Sequence, residues 1–206
     1  MTKNDQATSG RPKLAELREV KTVYQPAEDS RLLAEAVIEH GRVGQHQQLV
    51  DVGTGSGYVA ARIHDETGAS VVGCDINPDA CRQAREMGVP VVRSDLLSAF
   101  QDNTVDILVC NPPYLPTPEG EEWDDWMEHA LSGGVDGQRI VNRVIADAPR
   151  VLSQDGRVYL LVSSLTDPEA VAETARQAGF AVETIAEESH PFERLFVLAL
   201  LLSRRR

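Results

Sequence analysis

Short apolar runs and amphipathic stretches take turns along this chain. Runs rich in Val, Leu, Ile and Ala at 48–52, 70–75, 89–93, 105–110, 157–163, 181–187 and 194–201 have the length and continuity of buried strands. Apolar residues recur at helical spacing over 27–40, 58–65, 78–87, 137–152 and 168–178. Strand and helix in alternation predict an α/β fold, a parallel sheet with helices on both faces. The last two strands have only a short link around Ser189-His190-Pro191 between them. They should form a hairpin, which turns the final strand antiparallel. In such a sheet a ligand sits over the C-terminal ends of the strands near the switch point.

Size and composition add limits. The 206 residues suffice for one domain with a full core, so residues 21–206 are expected to form a single domain preceded by a flexible, polar arm at 1–20. No apolar run reaches membrane-spanning length and the N-terminus lacks the apolar core of a signal peptide, so a soluble, cytoplasmic protein is expected. Cys74, Cys81 and Cys110 show no paired metal spacing and read as reduced core residues, and the histidines are scattered. A metal site is not expected. The net charge is -12, and the lysines Lys3, Lys13 and Lys21 all precede the predicted fold. Such acidity disfavours a phosphate-tracking groove. It also suits a protein of a high-salt, halophilic cytoplasm, where screening within about 3 Å at molar salt blunts self-repulsion. On that reading acidity says less about partners.

The candidate chemistry lies where strands end. The first strand runs into Asp51, Gly53, Gly55 and Gly57, an Asp-x-Gly-x-Gly-x-Gly loop that opens a helix. Glycines there let a ligand approach backbone N–H groups at a helix N-terminus. The second strand ends in Asp75, roughly twenty residues further on, the offset at which an acid meets ribose hydroxyls. The dinucleotide fingerprint would place the last glycine one position later, which argues for a different nucleoside cofactor. The third strand ends in Ser94-Asp95-Leu96, offering a carboxylate to an adenine amino group and an apolar cap beside it. A helix N-cap is the alternative role for Asp75 or Asp95.

After the fourth strand stands Asn111-Pro112-Pro113-Tyr114. Asn111 Oδ1 and the Pro112 carbonyl can accept from both hydrogens of a planar NH2 group, and Tyr114 can stack on it. That grip suits methyl transfer to an amide or exocyclic amine, whose delocalised lone pair needs positioning and electrostatics rather than a strong base. A plain turn after a strand is the alternative.

This progression resembles the class I S-adenosyl-L-methionine-dependent methyltransferases. The resemblance implies a Rossmann-like, seven-stranded, mostly parallel sheet in the order 3-2-1-4-5-7-6 with an antiparallel last strand. Asp51 and the glycine loop would face the methionine end, Asp75 and Ile76 the ribose, and Asp95 and Leu96 the adenine. From Val23 onward the chain further resembles HemK-type protein N5-glutamine methyltransferases of the archaeal and eukaryotic branch. The likeness is carried by residues 23–30, the glycine loop, Asp75-Ile76-Asn77, Asp95-Leu96, Asn111 to Tyr114, and Gly133-Gly134-Val135-Asp136-Gly137.

The resemblance implies that Ser30 and Asn111 touch the cofactor, and that Asn111, Pro112, Pro113 and Tyr114 bind the substrate amide. The implied substrate is the glutamine of the Gly-Gly-Gln loop in the class I translation release factor. The implied partner is a small zinc-binding activator subunit that adds a strand to the strand 3 edge, making a heterodimer. Leu131 stands where the family carries an aromatic residue, with Trp123 and Trp126 upstream. The acidic stretch between Leu115 and Gly134 reads as a substrate-facing loop with a short helix, or as a solvated loop with its tryptophans tucked back. The alternative function is an RNA or DNA methyltransferase acting on an exocyclic amine of a flipped adenine or guanine. It lacks a basic stripe. A non-catalytic scaffold is disfavoured by the intact cofactor loop and Asn-Pro-Pro-Tyr sequence.

Overall fold

A computed structural model describes residues 22–118, 120 and 126–202. The predicted arm at 1–20, the lysines, Arg204 to Arg206, Trp123 and most acids of the 115–134 loop lie outside the described residues. Seven strands form one sheet in the order β3-β2-β1-β4-β5-β7-β6. They are β1 Gln48–Val52, β2 Ser70–Asp75, β3 Val91–Arg93, β4 Val105–Cys110, β5 Leu152–Ser163, β6 Phe180–Ser189 and β7 Arg194–Leu202. β1 through β5 pair in parallel, and β7 runs antiparallel to both β5 and β6.

Helices cover both faces because the central strands are apolar on both. On one face α1 (Glu28–His40) and α2 (Tyr58–Thr67) pack with α3 (Pro78–Glu86), burying Leu33, Val37 and Ile63 against Leu49, Ile107, Val109 and Leu161. On the other, α5 (Arg139–Val151) and α6 (Pro168–Gln177) bury Val144, Ile145 and Val171 against Val50, Leu108, Leu160 and Leu198. Neighbouring residues such as Leu160 and Leu161 therefore serve opposite cores. Each fully buried side chain of this size contributes about 1.5–3 kcal/mol. Among the described residues no helix is long and apolar enough to cross a membrane.

Two strand starts depart furthest from the sequence pattern. β3 begins at Val91 rather than at 89, because Pro90 has no N–H to give to a ladder and Val89 instead donates to Ala84 of α3. β5 begins at Leu152 rather than at 157, since Leu152 already pairs with Val105 before an irregularity resets the register at Ile107 and Arg157.

The stretch after Asn111-Pro112-Pro113-Tyr114 is tied down by its own ladder. Leu115 N–H donates to Leu131, and its carbonyl accepts from Gly133, next to the short helix α4 (Trp126–Leu131). Gly137 explains the glycine-rich run: a side chain there would press on the Tyr114 carbonyl oxygen at 2.5 Å, at a φ of +74°. That run seats the Asn-Pro-Pro-Tyr turn against the sheet.

Candidate active site

A cavity of about 200 Å³ opens over the C-terminal ends of β1, β2 and β4. Ser30, Asp51, Gly53, Gly55, Asp75, Ile76, Asp95, Leu96, Asn111, Pro112 and Pro113 all line it. Residues read separately from the sequence thus share one wall, because parallel strands end on the same side. Gly57 and Tyr114 do not line it. Gly57 caps α2 at a φ of +85° and packs on Ala84 of α3, while Tyr114 is half-buried beside the α1 core.

Neither Asp75 nor Asp95 caps a helix. Asp75 accepts from Gly55 N–H through one oxygen and Asn77 N–H through the other, each at 2.9 Å, and Asn77 is the residue that caps α3. Asp95 is bridged through one oxygen by Arg143 of α5 at 2.8 Å. Leu96 sits at a φ of +49°, a left-handed conformation that costs a branched residue about 1–3 kcal/mol and recurs at ligand sites. Asp51 is buried and accepts from Thr54 Oγ1 at 2.6 Å.

Burial pushes the Asp51 carboxyl up to about 6, opposed by the Thr54 hydrogen bond and helped by the nearby Asp75 charge. Asp75 is raised as well, by burial against its backbone hydrogen bonds. Both acids are raised above their unfolded values, so each stabilises the free fold at low pH, and the Asp51 contribution is lost as pH rises through about 6. Asp147 is shifted down, by its Arg150 hydrogen bond, so its contribution fades only at lower pH, within and below the ordinary carboxylate range. Lowering pH from 7.5 to 5.5 should therefore raise the free protein's stability by about 1 kcal/mol. Affinity for a cofactor that presents a cationic group to Asp51 should fall over the same interval. Thermal melts and calorimetric titration at the two pH values check both signs.

Asn111 lines the cavity at the end of β4. Its Nδ2 donates to Asp29 Oδ2 at 3.0 Å, while its Oδ1 is buried and has no hydrogen-bond partner. Burial, and next the Asp29 charge, push the phenols of Tyr24 and Tyr114 well up, so both stay neutral over the ordinary pH range. Trp126 of α4 lines the cavity with its ring 5.6 Å from that of His129. The short helix of the acidic stretch thus faces the site. Burial pushes the Cys74 thiol up to about 12 and the Cys110 thiol well up, and all three cysteines are free and buried.

Sequence reasoning passed over Asp29, Tyr24 and Arg143. Asp29 and Glu28 in the first turn of α1 look like ordinary partners of the helix dipole. Nothing local distinguishes Arg143 from other exposed helix arginines.

A glycine loop after β1, an acid after β2 and a reversed last strand in this order define the fold of the class I S-adenosylmethionine-dependent methyltransferases. The model of the methyltransferase small domain family matches residues 24–125. A Methanocaldococcus jannaschii protein, provisionally named a protein N5-glutamine methyltransferase, is 35% identical over 85% of this chain and 90% of its own length. Mouse methyltransferase HEMK2 is 32% identical over 86% and 89%. The chain belongs to the HemK-type protein N5-glutamine methyltransferases, in their archaeal and eukaryotic branch. Among solved structures, the E. cuniculi Mtq2–Trm112 complex, described as responsible for methylating the translation termination factor eRF1, superposes with a TM-score of 0.74. It shares 27% identity and covers 89% of this chain and 100% of that one.

Proposed function

We propose that this chain methylates N5 of the glutamine in the Gly-Gly-Gln loop of a class I translation release factor. The observation that carries this reading is that Asn111, a residue lining the cofactor cavity, keeps a buried Oδ1 with no hydrogen-bond partner, an acceptor left for an N–H. Relatives named for glutamine or eRF1 methylation support the same substrate. The residues present fit S-adenosyl-L-methionine: a glycine loop open to the cavity, an acid with both oxygens oriented by backbone N–H groups for ribose, and Asp95 with Leu96 for adenine. Asp51, Gly53, Gly55 and Ser30 would hold the methionine end. When bound, that cofactor supplies an electrophilic methyl group. Asn111 and the Pro112 carbonyl orient the amide, and Pro113 keeps the turn rigid.

A small zinc-binding activator on the β3 edge completes the proposal. β3 ends the sheet, and Val92, Met87 and Ile76 near it are exposed apolar residues. Such an edge favours strand addition. The protein substrate would rest on a rim at the ligand side of the sheet, where Phe192 in the β6–β7 turn is 95% exposed and Leu165 and Val135 are exposed too. Phe192→Ser should raise KM for the release factor roughly three- to tenfold, with KM for a short Gly-Gly-Gln peptide unchanged. Steady-state kinetics with both substrates read the difference.

The deciding assay uses radiolabelled S-adenosylmethionine, with and without the activator, on the release factor, its loop Gln→Ala variant, and total tRNA and rRNA. Label on the factor that vanishes with the loop variant supports the proposal. Label on RNA alone overturns it.

A further inference from the structure

We infer that Asp29 is a positioning residue that decides which end of the Asn111 amide faces the substrate, an inference that rests on the amide-methylating function proposed above. An asparagine side chain has nearly the same shape in its two flipped orientations, but opposite chemistry. With Oδ1 forward it accepts from a substrate N–H; with Nδ2 forward it opposes donor to donor. The backbone of the Asn-Pro-Pro-Tyr turn does not choose between them.

Asp29 does. An ionised carboxylate only accepts, so the Asn111 group 3.0 Å from Asp29 Oδ2 must be the NH2 end. The carboxylate is itself held on its other side: Asp29 is 2% exposed, and Oδ1 accepts from Ser30 N–H at 2.6 Å and Ser30 Oγ at 3.2 Å. Tyr24 O–H donates to Oδ2 at 3.2 Å. Every one of these donors is neutral, so the negative charge stays directed at Asn111 Nδ2. The consequence is an Oδ1 that points away from Asp29, buried and unpartnered. An acceptor left bare in a buried place is costly unless a substrate donor arrives to fill it.

A purely structural role, completing the first turn of α1, makes different predictions. Asp29→Asn keeps shape and helix but lets residue 29 donate to Asn111 Oδ1, so the flipped orientation becomes competitive. In the full chain co-expressed with its activator, kcat should fall roughly 10–100-fold, while S-adenosylmethionine affinity stays within about twofold. In an Asn111→Ala background the same change should cost nothing further, since there is no amide left to orient. Equal, additive losses in the two backgrounds, or an unchanged kcat, would overturn the inference.

A second readout needs neither turnover nor the variant. In the wild-type protein, NMR should detect a coupling across the hydrogen bond from Asn111 Nδ2 to the Asp29 carboxyl carbon; its absence, with both groups assigned, overturns the positioning role. If the release factor is not methylated at all, the proposed function fails while this coupling still tests Asp29.

Discussion

Asn111→Ala is expected to lower the single-turnover rate of methyl transfer roughly 10²–10³-fold, the loss typical of deleting one preorganised polar group aimed at a reacting centre. S-adenosylmethionine affinity should change only a few-fold. The division follows from geometry. Asn111 lines the cavity, but its Oδ1 is the buried, unsatisfied atom, whereas the cofactor's ribose and adenine would be held by Asp75 and Asp95 on other strands. An acceptor that meets its partner only in the reacting complex lowers the barrier more than it strengthens binding of the cofactor. Rapid-quench turnover and calorimetry on the same preparation separate the two. A comparable loss in both would mean that Asn111 chiefly builds the cofactor pocket.

The second large effect is structural in origin. Gly57→Ala should destabilise the fold by roughly 2–4 kcal/mol and lower Tm by roughly 5–15 °C. Gly57 has a φ of +85°, and a Cβ added there would lie 2.9 Å from the backbone Cα of Ala84. A methyl group therefore strains the backbone and also pushes α3 away from the glycine loop. Gly88 provides the internal comparison, with a φ of +83° but nothing within 4 Å of an added Cβ. Gly88→Ala should cost only the backbone part, about 1 kcal/mol. Cofactor affinity should fall in the first variant alone, because Gly57 N–H donates to Thr54 in the turn that carries Gly53 and Gly55. Denaturant unfolding of both variants, with calorimetric titration, measures the contrast; equal costs at the two positions would show that the helix contact is slack.

The alternation of apolar runs and amphipathic stretches was enough to place the strands. β1, β2 and β4 match their predicted spans because a strand buried on both faces writes an unbroken apolar run into the chain. The hairpin at the end was legible from a local feature as well: only a short link separates β6 from β7. Where local pattern and pairing compete, pairing wins, so Pro90 shortens β3 and the β4 contact lengthens β5.

The cavity's walls were equally readable. Parallel strands deliver their following residues to one side, so Asp51, Asp75, Asp95 and Asn111 had to meet once the sheet order was known. Which role each glycine has was not readable, and the structure separates Gly53 and Gly55, which border the cavity, from Gly57, which serves helix packing. Asp29 and Arg143 lay beyond sequence reasoning altogether. Asp29 meets Asn111 across 82 residues and Arg143 meets Asp95 across 48. Periodicity and spacing report only what a residue does within its own element; the partner that orients an amide or bridges a carboxylate is chosen by how distant elements pack.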